Sequence, residues 1–246
     1  MTTPERGGRF YDLPRISSRY LGHRHSGAAG PNHVMEEPAF LAELGSVDKL
    51  RVIDLGCGDA TTGLQLLNAG CQSYLGVDSS ASMVTASGES LRGTAGRVVR
   101  MDMEDFSAPP GTCDLVVSRL ALHYVEDVES VLAACRDCLS PGGRLIFSVI
   151  HPLLSAYDSQ SDGTRTSWVV DDYFSRGARD RRWMGGNVVW FHRTVEDYVG
   201  ALLRAGFSLD SLRECEPAEA RFGGEAEEFA RRRRVPLFLL LSATRA

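Results

Sequence analysis

Residues 52–63 read VIDLGCGDATTG. An apolar run carries Asp54 near its end and passes into two glycines one residue apart, Gly56 and Gly58, ahead of a helix-like stretch. That order constrains the fold more than any other feature of the chain. Strand, glycine turn and helix in immediate succession open a nucleotide-binding βα unit. The rest of the chain repeats the alternation. Residues 50–55, 73–78, 97–102, 113–118 and 144–150 read as strands, the last after a turn at PGG (141–143). Residues 61–69, 81–91 and 128–139 read as helices. Strands that are continuously apolar and separated by helices imply a parallel sheet covered on both faces.

The expected fold is therefore α/β: a Rossmann-like, doubly wound, three-layer sandwich on a seven-stranded sheet. A helix at 194–206 is followed by a strand near 207–215 and a last strand at 235–244. The last strand follows the short 207–215 strand through a loop, which favours a local hairpin over a crossover and makes the last strand antiparallel. One domain spans 1–246. Residues 1–50 read as helical pieces broken by GAAGPN and are expected to cover the site, with 51–150 as the cofactor-binding core. Residues 151–193 look irregular and aromatic. They hold all three tryptophans (Trp168, Trp183, Trp190) and four glycines (Gly163, Gly177, Gly185, Gly186), with Arg179, Arg181 and Arg182 nearby. Long loops in compact domains tend to be functional, and this one is expected to be a substrate lid for a planar or carboxylated small molecule. A dimer interface is the competing reading.

In the dinucleotide fingerprint a third glycine stands where this chain has Thr61, and a pyrophosphate meets the helix N-terminus. A carboxylate at Asp54 would repel phosphate there and suits a ligand with an amine. Asp78 lies 20 residues after Gly58, at the end of the second strand, where a carboxylate accepts hydrogen bonds from ribose hydroxyls. The ligand so defined has a ribose, a cationic group and no pyrophosphate. S-adenosylmethionine fits.

Here the chain resembles the class I S-adenosylmethionine-dependent methyltransferases, in their small-molecule branch (methyltransferase type 11-like). VIDLGCGDATTG, GVDSSASMV, MDMEDF, DLVVSRLALHYVED and LSPGGRLIFSV resemble the family's five motifs, in order. Ala60 departs from the glycine many members carry, which is expected to cost little because an alanine can hold most loop conformations with negative φ. The resemblance implies that Asp54 and Gly56 hold the methionine end, that Gly58 permits close backbone approach and that Asp78 holds the ribose, with Ser79 and Met83 alongside. It implies Asp102 and Met103 at the adenine and Ser118 in the crevice. For Asp102 a plain loop carboxylate, and for Ser118 a simple strand-end residue, are equally open readings. Tyr20 is expected near the sulfonium, where an aromatic face stabilises a cation.

The acceptor is less legible. The fourth motif lacks the Asn/Asp-Pro-Pro-aromatic of base and amide methylation, and the net charge is −5. Both favour a small molecule, such as a bacterial specialised metabolite, over nucleic acid. His151 and His123 follow the fifth and fourth strands and are candidate general bases. Tyr173, Trp183 and His192 are candidate substrate contacts, with helix entry as the second reading of His192. Two other readings stay open: the same fold and cofactor used for a cyclase or decarboxylase, and a protein or RNA methyltransferase. Cys135 and Cys138 have no second pair, so no metal is expected. The cysteines suit a reduced, cytoplasmic protein. MTTPERGGRFYDL has no signal-peptide core, and no run reaches the ~20 apolar residues of a membrane span. Monomer or homodimer are both compatible.

Overall fold

The structure is a computed structural model that describes residues 4–25, 30–157 and 167–246, His25 by its backbone alone. Residues 1–3 and 26–29 of the expected cover lie outside the described residues. So do residues 158–166 of the expected lid, Gly163 among them. In chain order the strands are β1 (Glu5–Arg6), β2 (Arg51–Leu55), β3 (Ser73–Asp78), β4 (Gly96–Arg100), β5 (Cys113–Arg119), β6 (Leu139–Ile150), β7 (Gly177–Trp183), β8 (Gly186–His192), β9 (Phe207–Arg213) and β10 (Phe238–Arg245). The α-helices are α1 (Gly7–Tyr11), α2 (Pro14–His25), α3 (Glu37–Leu44), α4 (Thr61–Asn68), α5 (Ala81–Ser90), α6 (Val128–Cys138), α7 (Pro152–Ser155), α8 (Val195–Arg204) and α9 (Ala226–Arg232).

Seven strands form the main sheet in the order β4-β3-β2-β5-β6-β10-β9. Only β10 runs antiparallel to its neighbours, β6 and β9. Alternate residues of the central strands enter different cores. Ile53, Leu55 and Val116 pack with α6 and α8 on one face, and Val52, Leu115 and Val117 pack with α3 and α4 on the other. Both faces are thus covered, which is why these strands read as unbroken apolar runs. The PGG turn is present as an excursion inside β6. The register against β5 jumps from Cys113↔Leu139 to Leu115↔Arg144, and Gly142 takes φ 72°.

Two expectations need correction. Residues 151–193 are not irregular throughout: β7 and β8 form an antiparallel hairpin. Its two turn residues, Met184 (φ 50°) and Gly185 (φ 79°), both have positive φ, the geometry that matches the twist of paired strands. GARDRRW lacks apolar alternation because β7 is an edge strand; the apolar residues sit in its partner GNVVWFH. The N-terminal region is not only helical either. β1 pairs in parallel with β8, Glu5 opposite Val188 and Arg6 opposite Val189. Phe10 and Ile16 then pack on Val188 and Trp190 in a small third core.

Because that third core is separate from the other two, its loss should open a local unit. Phe10 is fully buried in it, and Phe10→Ala should cost that unit about 3–5 kcal/mol. Hydrogen exchange should report faster exchange of amides 5–25 and 177–192 together, with β2, β5 and β6 unchanged. Acceleration of only one of the two segments would contradict their union.

Candidate active site

The strand order reverses between β2 and β5, the place where open α/β sheets bind ligands. A cavity of about 700 Å³ lies there, over the carboxyl ends of the strands. Its floor is the loop after β2. Gly56 takes φ 73°, and a Cβ on it would stand 2.3 Å from the Ala121 Cβ, so only glycine fits. Gly58 takes φ 58°, and its amide donates to Asp78 Oδ2 (2.9 Å). The Ser80 amide donates to Asp78 Oδ1 (2.9 Å), so the end of β3 is tied to the first loop. Ala60, the N-cap of α4, takes φ 56°, not the expected negative value. A left-handed alanine costs roughly 1–2 kcal/mol, so the departure from glycine is a strained one, imposed by the sharp entry into α4.

The roof comes from the N-terminus. Tyr20 stands over Gly58, its hydroxyl 3.8 Å from where a Cβ would be. Gly8 lies so close to the Ser79–Ser80 backbone that a Cβ would come within 2.6 Å of the Ser80 amide. Asp12 Oδ1 accepts from Ser80 Oγ (2.7 Å) and the Ser82 amide (3.0 Å). From the same segment, Arg15 donates to the Gly185 carbonyl and Arg19 to that of Met184 (3.5 Å), at the hairpin turn. Tyr11 and Tyr124 share a hydroxyl–hydroxyl bond of 2.9 Å in the cavity wall. One hydrogen makes that bond, and the second remains for a ligand.

This arrangement has parallels among known proteins. Residues 53–147 match a family described as methyltransferase domain. A crystal structure of an S-adenosylmethionine-dependent methyltransferase from Mesorhizobium loti superposes with a TM-score of 0.78 at 34% identity, over 89% of this chain and 99% of that one. The chain belongs to the S-adenosylmethionine-dependent methyltransferases. An uncharacterized protein of Haemophilus influenzae is 26% identical over 195 residues, 74% of this chain and 77% of its own. The ubiquinone biosynthesis O-methyltransferase of Ralstonia nicotianae is 35% identical over 114 residues, but the match spans 44% of this chain and only 46% of that enzyme.

The donor set of this methyltransferase fits its cofactor. Asp54 and Asp78 are held up to a pKa of about 6 by burial. Asp54 receives one hydrogen bond, from the Tyr74 hydroxyl (2.8 Å). Two desolvated carboxylates in one cavity wall suit a ligand that brings an amine and a ribose. Met83 and Met103 add apolar surface to the same wall. Two residues absent from the sequence reading also line it, Arg24 and Arg119. Arg24 donates to Asp59 (3.2 Å) and Arg119 forks onto the buried Glu36 (2.5 and 3.1 Å). Both cations pull the Asp54 carboxyl down, against its burial. The available signals were small: Arg24 is four residues after Tyr20, on the same helix face, and Arg119 directly follows Ser118.

The cavity brings together Tyr20, Asp54, Gly56, Gly58, Asp78, Ser79, Met83, Met103, His123 and Trp183. Five other expected residues lie outside its lining. Ser118 Oγ donates to the Leu55 carbonyl (2.8 Å) and locks β5 to β2. Asp102 is exposed and caps the turn Met103–Asp105 through the Glu104 amide (3.1 Å). His151 has both ring nitrogens occupied, Nδ1 by the Leu153 amide (3.2 Å) and Nε2 by Glu214 (3.2 Å), so it is a helix cap and not a free base. His192 is likewise consumed by Ser155 (2.6 Å) and the Tyr173 carbonyl (2.8 Å). The Tyr173 hydroxyl turns to the Val195 amide (3.5 Å). His123 does line the cavity, and its Nδ1 is buried without a hydrogen-bond partner. Burial, with the charge of Arg193 second, lowers its pKa to about 3. It is neutral at physiological pH and too weak a base to deprotonate a hydroxyl or ammonium group.

The raised carboxyl groups set a pH dependence. Folded Asp54 and Asp78 bind protons more tightly than in the unfolded chain, so without cofactor they lower stability as pH rises from about 4 through 6. A cationic ligand favours their ionised forms and offsets that cost above pH 6, but not below. The rise in melting temperature on adding S-adenosylmethionine should be clearly larger at pH 7.5 than at pH 5. Equal rises in a thermal-shift titration would show that the carboxylates do not face the ligand.

Proposed function

We propose that this methyltransferase alkylates an O, N or C nucleophile of a small molecule, such as a specialised metabolite, inside the aromatic half of the cavity. The observation that carries the reading is the continuity of the cavity. The carboxylate wall of the cofactor half runs without a break into a half walled by Tyr11, Tyr124, Trp183 and Trp190. A concave, mostly apolar site with a few polar groups suits a small ligand better than a nucleic acid or a folded protein.

Bound S-adenosylmethionine supplies a sulfonium-activated methyl group. Asp54 would hold its amine, Arg24 and Arg119 its carboxylate, Asp78 its ribose, and Met83 and Met103 its adenine, with Ser79 beside the ribose. Tyr20 offers an aromatic face to the cation. His123 positions the acceptor by a hydrogen bond from a neutral ring. The sulfonium is already activated, so the acceleration rests on proximity and alignment. The hairpin and the N-terminal segment act together as lid and cover and exclude water from the site.

Incubation with S-adenosylmethionine and either a metabolite extract, transfer RNA or cell protein tests the reading. S-adenosylhomocysteine should form in step with a methylated small molecule. Methylation of only the macromolecules, or none with a changed metabolite, would favour the other readings. Asp78→Ala should weaken cofactor binding about 10- to 100-fold, the worth of hydrogen bonds to a charged group, and unchanged affinity in calorimetry would remove Asp78 from its role.

A further inference from the structure

We propose that the hydroxyl pair of Tyr11 and Tyr124 recognises the acceptor: it gives its one free hydrogen to the oxygen of an acidic hydroxyl compound, a phenol or an enol, and holds that compound as its anion. The inference rests on the methyltransferase reading and narrows it to a class of acceptor. Its first support is position. The rings of Tyr20, Tyr11 and Tyr124 follow one another edge-on, at 5.0 Å and 6.0 Å. Tyr20 stands over Gly58, and all three tyrosines line the cavity. The pair therefore lies at the seam between the carboxylate wall and the aromatic wall, where the methyl group passes in the proposed reaction.

The second support is a count of hydrogens. Two phenols bring two hydrogens, and one is spent in the 2.9 Å bond between them. The Trp183 and Trp190 indole nitrogens are buried and fall short of hydrogen-bond geometry with any described residue. Each still lies by a phenol oxygen, Trp183 by Tyr11 and Trp190 by Tyr124, near enough to lower its pKa. Donors thus already face the oxygens, and what the pair has left to offer is a hydrogen. A hydroxyl that accepts one bond donates the next more strongly.

The third support is charge. Burial, with the neighbouring phenols second, raises Tyr11 well above the ordinary phenol range, and burial pushes Tyr124 up to about 12. Both keep their hydrogens at neutral pH. The groups that act most on them, Tyr20, Trp183 and Trp190, are uncharged there, and His123, 4.3 Å from the Tyr124 ring, is neutral too. The pair can hold an anion but not make one, so it suits an acceptor acidic enough to lose its proton to water. The electron pair of that anion forms the bond to the methyl carbon, the electrons of the carbon–sulfur bond stay on sulfur, and anion and cation become two neutral products.

The test is a titration of the full-length protein saturated with S-adenosylhomocysteine. That ligand has no sulfonium, so a preference for an anion comes from the protein. The probes are 4-nitrophenol, 4-nitro-1-naphthol and 7-hydroxycoumarin, whose ionised forms are read by absorbance. At least one probe, when bound, should ionise about one pH unit or more below its value in water, which means that the anion binds about ten-fold more tightly than the neutral phenol. Tyr11→Phe and Tyr124→Phe keep the rings and remove the hydroxyls. Each alone should reduce the shift, and the two together should abolish it, with the affinity for S-adenosylhomocysteine unchanged. No bound probe, no downward shift, or a shift that survives the double substitution overturns the proposal. Should the double variant fail to fold, an unchanged shift in both single variants does the same. Loss of S-adenosylhomocysteine affinity in the single variants would assign the pair to the cofactor and overturn it as well. Failure of the wild-type protein to bind S-adenosylhomocysteine would instead overturn the cofactor reading, and this inference with it.

Discussion

The buried pair between Arg119 and Glu36 is the interaction on which the site depends. Glu36 is fully buried and the Arg119 side chain only 12% exposed. Each charge is tolerable there only because of the other, and a buried pair that loses one partner typically costs about 3–5 kcal/mol. Their remaining valences are also met. Ser148 Oγ donates to Glu36 Oε1 (2.7 Å), Arg119 donates to Thr62 Oγ1 (3.0 Å), and the guanidinium lies over the Phe40 ring at 4.7 Å. Through these contacts the turn before α3 is fastened to the ends of β5 and β6 and to the first turn of α4. The same cation opposes the upward shift of Asp54, so the pair joins the architecture of the cavity to its electrostatics.

A second dependence runs through the N-terminal segment. It touches the Ser79–Ser82 loop at Gly8 and Asp12 and the β7–β8 hairpin at β1, Arg15 and Arg19. Cover and hairpin therefore share one small core of Phe10, Ile16, Val188 and Trp190. A movement of the N-terminal segment must therefore disturb Trp190 in the cavity wall, because the two belong to one packed unit. Units of this size, separate from the main cores, are the ones that open locally in folded proteins.

Much of the cofactor half was legible in the chain because its chemistry is local. A strand, two glycines and a helix must form a tight βα turn, and carboxylates at the ends of adjacent parallel strands must come together. Asp54, Gly56, Gly58, Asp78 and Met103 all line the cavity for that reason. The seven-stranded sheet with antiparallel β10 followed from apolar runs and from reading the connection after β9 as a hairpin loop, although that connection carries α9.

What tertiary structure decided is which polar groups stay free. In sequence His151 looks like a candidate base and His192 like a candidate substrate contact, and their hydrogen-bond capacity is used by residues far along the chain, Glu214 and Ser155. Arg119 and Glu36 meet across 83 positions, and nothing in either neighbourhood announces the other. The β7–β8 hairpin was hidden because an edge strand needs no apolar period when its partner carries the core residues. The positive φ of Ala60 was hidden because a loop's dihedral is imposed by the elements it joins. The sequence by itself determined the fold and the cofactor cradle, since short-range order dictates both. The aromatic half of the cavity was decided in three dimensions, because burial and pairing of charges depend on which distant side chains arrive beside them.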